Sequence, residues 1–170
     1  MEKNEKRNEL FTQAMSHLNN ENLGMSIDLL NEILDSNPED RLALMARGSV
    51  YLKRGKANRS ISDFSRVISN DENDAKAYHL RGLAREITGD DAEALKDFNK
   101  AIEIDATYGA AYYSRATLHT KMGNEDSAAE DMLIISHLTN RNIEEFANEN
   151  NVWRSQHLRV ENMLDNEMNR

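Results

Sequence analysis

The most restrictive feature of this sequence is a period. Ala14, Gly48, Gly82 and Ala116 follow one another at intervals of 34 residues. The same interval aligns Leu10, Leu44, Tyr78 and Tyr112, then Ser26, Ser60, Ala94 and Ala128, then Leu30, Phe64, Phe98 and Met132. Ile33, Val67, Ala101 and Ile135 form a further column, and Gly55, Gly89 and Gly123 another, in which Glu21 is the exception. A chain that repeats a unit of this length without insertion is a stack of supersecondary units, each too thin to bury its own apolar face.

Within a unit, large apolar residues at the fourth and eleventh positions flank a very small one at the eighth. That small residue admits a close helix crossing. The glycine column falls where the first helix stops, since glycine takes the left-handed conformation that ends a helix. Asp90 and Asn124 follow two of these glycines as N-caps of the second helix. Asn37, Pro38 and Glu39-Asp40 read as N-cap, first helical residue and acidic first turn. One proline and seven glycines are too few breakers for a sheet-rich fold. The expectation is an all-α chain of four helix hairpins, over residues 7–40, 41–74, 75–108 and 109–142.

This pattern resembles the tetratricopeptide repeat. The third unit carries it best, with Tyr78, Gly82, Gly89, Ala94, Phe98 and Ala101 at signature positions. The second matches at Leu44, Gly48, Tyr51, Gly55 and Phe64, although Ser60 replaces an alanine, and the fourth at Tyr112, Ala116, Gly123, Ala128 and Met132. The first is weakest, matching at Leu10, Ala14, Leu30 and Pro38. The resemblance implies a right-handed superhelix whose concave face, lined by first helices, binds a peptide or partner protein. Family positions read onto this chain place Phe11, Met15, Met45, Ser49, Lys76, His79, Leu80, Leu83, Tyr113 and Thr117 on that face. Some family members hold a C-terminal carboxylate with a lysine–asparagine–arginine clamp, and here only Lys76 fits it. The face is instead rich in methionine, aromatic and aliphatic residues, which suit apolar or amphipathic segments.

Charges repeat as well. Arg47, Arg81 and Arg115 recur at the seventh position, and Asp63, Asp97 and Asp131 recur sixteen residues later. Unit one has Gln13 and Leu29 there, so the charges come and go together. An ion pair across each hairpin is expected, with an arginine row gripping an acidic ligand as the functional alternative. Beyond residue 140 the repeat fails. Phe146, Trp153, Val160 and Leu164 belong to an apolar stripe at helical spacing, expected as a C-terminal capping helix or helices over 143–168, with a helix folded into the protein's own groove or a self-association surface as the alternatives.

Composition closes off other functions. The net charge is −9, and no Lys/Arg cluster supplies the basic surface that nucleic acid needs. Lys53-Arg54-Gly55-Lys56 lies at a helix end, where it complements the helix dipole. Without cysteine, thiolate catalysis, disulfides and Cys-based zinc sites are excluded. A charged start and the lack of a long apolar run argue against a signal peptide or membrane span, so the expected location is cytoplasmic. His17 and His119 read as satisfied core histidines, no histidine has ligand spacing, and Asp71-Glu72-Asn73-Asp74 lacks the glycine and glutamate of a calcium loop. No catalytic residue, metal site or cofactor is expected. The function expected is a protein-binding scaffold or adaptor. A client-specific chaperone of a secretion or assembly system, or a homo-oligomeric assembly protein, is the alternative.

Overall fold

The interval of 34 sets the helix ends. The computed structural model describes residues 2–149, with side chains from residue 4 to 142. It contains α1 (Glu2–Asn19), α2 (Leu23–Ser36), α3 (Arg41–Lys53), α4 (Ala57–Asn70), α5 (Ala75–Ile87), α6 (Asp91–Ile104), α7 (Gly109–Lys121) and α8 (Glu125–Glu149). The starts of α3, α5 and α7 lie 34 residues apart, as do those of α2, α4, α6 and α8. No strand occurs among the described residues.

Each helix packs on the next along the chain. The backbones of first helices also come close across units, α1 to α3, α3 to α5 and α5 to α7, whereas those of the second helices do not among the described residues. Elements that converge on one side and diverge on the other must curve the stack. The inner face of this superhelix is therefore lined by α1, α3, α5 and α7.

The small-residue column sits at the helix crossing inside each hairpin. A Cβ on Gly48 would stand 2.8 Å from the Phe64 ring, and one on Gly82 would stand 2.5 Å from the Phe98 ring. Each ring occupies the space of the missing methyl. Units one and four carry alanine in this column, and their second helices carry Leu30 and Met132 in place of phenylalanine.

The turn inside each hairpin needs one left-handed residue. Gly55, Gly89 and Gly123 supply it with φ of 67°, 81° and 78°, and Glu21 is forced to the same place at 61°. The side chain of Glu21 is exposed and reaches Lys53 only at 3.4 Å, so little offsets its Cβ strain. Glu21→Gly is expected to raise stability by up to about 1 kcal/mol, read as a higher urea midpoint. An unchanged or lower midpoint would count against strain at this turn.

Two sequence readings need correction. Pro38 lies in the turn, not in the first turn of a helix, and Asn37 closes α2 by donating its N–H to the Ile33 carbonyl. The cap of α3 is Asp40, whose carboxylate accepts the Ala43 N–H at 3.0 Å. Arg7 fixes that carboxylate with two hydrogen bonds, of 2.8 and 2.7 Å, and holds its pKa below the ordinary carboxylate range. Further on, α8 has 25 residues against 14 in each other second helix. It runs without a break through residue 143, where a separate helix was expected. The side chain of Phe146, and Trp153, Val160 and Leu164 altogether, lie outside the described residues.

Candidate partner-binding groove

The inner face is built from one side of each first helix, and its exposure varies from unit to unit. Leu52, Leu83, Glu86, Ile87 and Lys121 line an open cavity of about 490 Å³ on it. Leu83 is half-buried against the core formed by Ala94, Phe98 and Leu118. Ile87 is 59% exposed at the end of α5. Lys121, at the rim, is tied to Asp91 at 2.7 Å, and that bond raises its pKa. The cavity thus has an aliphatic floor and a rim of one acid and one paired base.

Two of the expected face residues are not open to a partner. Met45 is 8% exposed and belongs to the main core. His79 is 7% exposed, with Nδ1 at 3.0 Å from the Tyr108 hydroxyl and Nε2 at 2.9 Å from Ser114 Oγ. Burial lowers its pKa, which favours the neutral ring, and the same cause raises that of Tyr108. Ser114 belongs to the next first helix, so the residue at the fifth position is covered by the unit that follows. Tyr113, in the same column, is 59% exposed because no fifth hairpin follows it among the described residues.

The remaining expected residues fall into two groups. Phe11, Met15, Ser49, Leu80 and Leu83 are half-buried, while Lys76, Tyr113 and Thr117 are exposed. Ser49 and Thr117 donate their hydroxyls to the Met45 and Tyr113 carbonyls, which leaves these groups already partnered. Sequence reasoning missed Leu52 and Ile87. Ile87 shares its column with Lys53 and Lys121, so nothing in that column marks an apolar position.

The arginines point the other way. Arg47 grips Asp63 through Nε at 2.9 Å and Nη2 at 2.6 Å. Arg81 holds Asp97 at 2.9 and 2.7 Å, and Arg115 holds Asp131 at 2.9 and 2.6 Å. All three carboxylates are buried. The third guanidinium nitrogen reaches back sixteen residues, to Asn31, Ser65 and Asn99 on the preceding second helix. Each arginine therefore joins its own hairpin and fastens it to the unit before. These aspartates raise the pKa of Arg47 and Arg115. Nothing in this geometry leaves an arginine row facing a ligand.

His17 was expected to be satisfied, yet its Nδ1 is buried without a hydrogen-bond partner. The acidic run before α5 is a turn: Asp71 accepts the Asn73 N–H and Asp74 the Ala77 N–H. Among the described residues no helix is long and apolar enough to cross a membrane, and no cluster of side chains could hold a metal ion.

A family model described as tetratricopeptide repeat matches residues 11–72 and 46–109, together more than half of the chain. The chain belongs to the tetratricopeptide repeat family. Among curated proteins, none matches the sequence. Solved structures do resemble it. MamA (residues 41 to the end) from Desulfovibrio magneticus RS-1 is 18% identical, with a TM-score of 0.74 over 79% of this chain and 76% of that one. Another MamA structure is 20% identical, with a TM-score of 0.72 over 80% and 74%. The first tetratricopeptide repeat region of Spaghetti (RPAP3), bound to the HSP90 peptide SRMEEVD, is 21% identical, with a TM-score of 0.66 over 70% and 94%. At these identities the likeness establishes the fold.

Proposed function

We propose that this protein is a non-catalytic cytoplasmic scaffold that holds an apolar or amphipathic segment of a partner protein against its inner face. The observation that carries this reading is the cavity at Leu52, Leu83 and Ile87, with an aliphatic side chain largely exposed on a concave surface. Exposed aliphatic area on a concave surface is where burial by a partner gains most. The shape suits an extended or helical segment that presents apolar residues at regular spacing. The RPAP3 structure, in which a similar stack holds a peptide of another protein, lends support.

The residues proposed to make the contact are Leu52, Leu83 and Ile87, flanked by Met15, Leu80 and Lys76. Met45 cannot serve as a test position, because a charge there would enter the core. Peptides selected from a random displayed library on the intact protein provide the probe. Leu83→Gln combined with Ile87→Gln removes two of the three apolar side chains without adding charge. The selected peptides are expected to carry apolar residues at helical or alternate spacing and to bind this variant at least about tenfold more weakly, a loss of about 1.4 kcal/mol. Circular dichroism should show the helices unchanged. Equal binding by the folded variant would move the site elsewhere.

A further inference from the structure

We propose a second docking surface, at the edge where the hairpins turn, that takes an acidic stretch of a partner protein. A cavity of about 680 Å³ opens there between α2, the α3–α4 turn and the end of α5. Arg54, Lys56 and Arg59 line it, with Asp28 as the one carboxylate, so three positive charges face one negative. This happens on a chain whose net charge is −9.

The contrast with the other basic residues is what makes the cluster informative. Twelve lysines and arginines are engaged in ion pairs. Arg54, Lys56 and Arg59 make none among the described residues, and they gather at one cavity. Arg59 is braced by the ring of Tyr51, 5.5 Å from its centroid, and Tyr51 is itself buried. The cations stay available while the surface beneath them is fixed.

The repeat supplies an internal control. The positions of Arg54, Lys56 and Arg59 hold Asn20, Asn22 and Met25 in unit one, Thr88, Asp90 and Glu93 in unit three, and Met122, Asn124 and Ser127 in unit four. The hairpin turn forms in all four units, so the fold does not call for positive charge there. Lys56 even occupies the N-cap of α4 without a side-chain hydrogen bond, where Asp90 caps α6 by accepting the Glu93 N–H. Asn22 at the same place in unit one makes no cap bond either, so the start of the second helix forms without one and does not require a cation there.

A protein segment fits this surface better than nucleic acid does. Three cations at one spot on an acidic molecule cannot follow a phosphate backbone. Ile87 lines this cavity and the apolar one on the inner face as well, so the two surfaces meet. A partner segment with acidic residues beside apolar ones would occupy both. The inference thus extends the groove reading, and its test is separable from it.

The test is fluorescence anisotropy with a labelled oligoglutamate peptide, with oligoglutamine, oligouridylate and inorganic phosphate as comparisons. Oligoglutamate is expected to bind, and to weaken between about 0.01 M and about 0.15 M salt as the screening length falls from about 30 Å to about 8 Å. The combined change Arg54→Gln, Lys56→Gln and Arg59→Gln should weaken it about tenfold or more with helicity intact, and Arg54→Gln alone several-fold. Leu83→Gln alone, which leaves every residue lining the basic cavity in place, should bind oligoglutamate as the parent does, even if its binding of groove peptides is weakened. The proposal is overturned if oligoglutamate fails to bind, if oligoglutamine binds equally, or if the triple variant keeps its affinity. It is also overturned if oligouridylate binds more tightly, or if phosphate at matched charge displaces the peptide completely.

Discussion

Asp97→Ala is expected to destabilise the protein by about 3–5 kcal/mol. The carboxylate is 2% exposed and accepts from Arg81 at 2.9 and 2.7 Å and from Arg85 at 2.8 Å. Its removal leaves two mostly buried guanidinium groups with no counter-charge nearer than Glu93, at 3.5 Å from Arg85. Arg81 also reaches Ser65 on α4, so the damage falls on unit three and on its interface with unit two. In a stack whose stability is a sum of units and nearest-neighbour interfaces, that should broaden or split the unfolding transition. Replacing both partners of a simpler pair, Arg47→Met with Asp63→Leu, should change stability by no more than about 1 kcal/mol, because the pair's attraction does little beyond repaying its own desolvation. Urea unfolding followed by circular dichroism tests both. If Asp97→Ala lies within about 1 kcal/mol of the parent, water is screening these forks and they do not hold the hairpins together.

The fold was legible because packing between adjacent hairpins writes itself into side-chain size at a fixed interval. Gly48 and Gly82 are glycine because a phenylalanine ring lies over each, and the period of 34 repeats that local relation. What the sequence concealed is what depends on the neighbouring unit. Met45, His79 and Tyr113 share one column, yet the first two are buried and the third is exposed. Only the presence or absence of a following first helix separates them. Pro38 misled for a related reason: Asp40 caps α3 locally by accepting the Ala43 N–H, and the bonds that fix its carboxylate come from Arg7, on another helix, so they depend on tertiary placement. The basic run around residue 54 was visible but read only as a complement to a helix end. That holds for Lys53, in the last turn of α3 and paired with Glu21. Arg54 and Lys56 lie beyond that helix and Arg59 on the next one, and only the folded turn brings the three around one cavity.

Gly82→Ala carries the second large expected effect. The added methyl would sit 2.5 Å from the Phe98 ring, inside any real carbon–carbon contact. Phe98 cannot swing away, because it is fully buried and packs against His79 at 5.8 Å between ring centroids. Alanine is the better helix former by about 0.8–1.0 kcal/mol, so on an open helix this change would stabilise. Here overpacking should reverse the sign and leave a net loss of about 1–3 kcal/mol. The decisive measurement is a double-mutant cycle with Phe98→Leu, which recreates the Ala14–Leu30 combination that unit one carries at the same positions. If the methyl and the ring compete for one space, the double variant should be more stable than the sum of the two single losses by about 1–2 kcal/mol. Additive losses would mean that the glycine column answers to something other than the ring above it, and the explanation of the repeat by helix-crossing distance would fail with it.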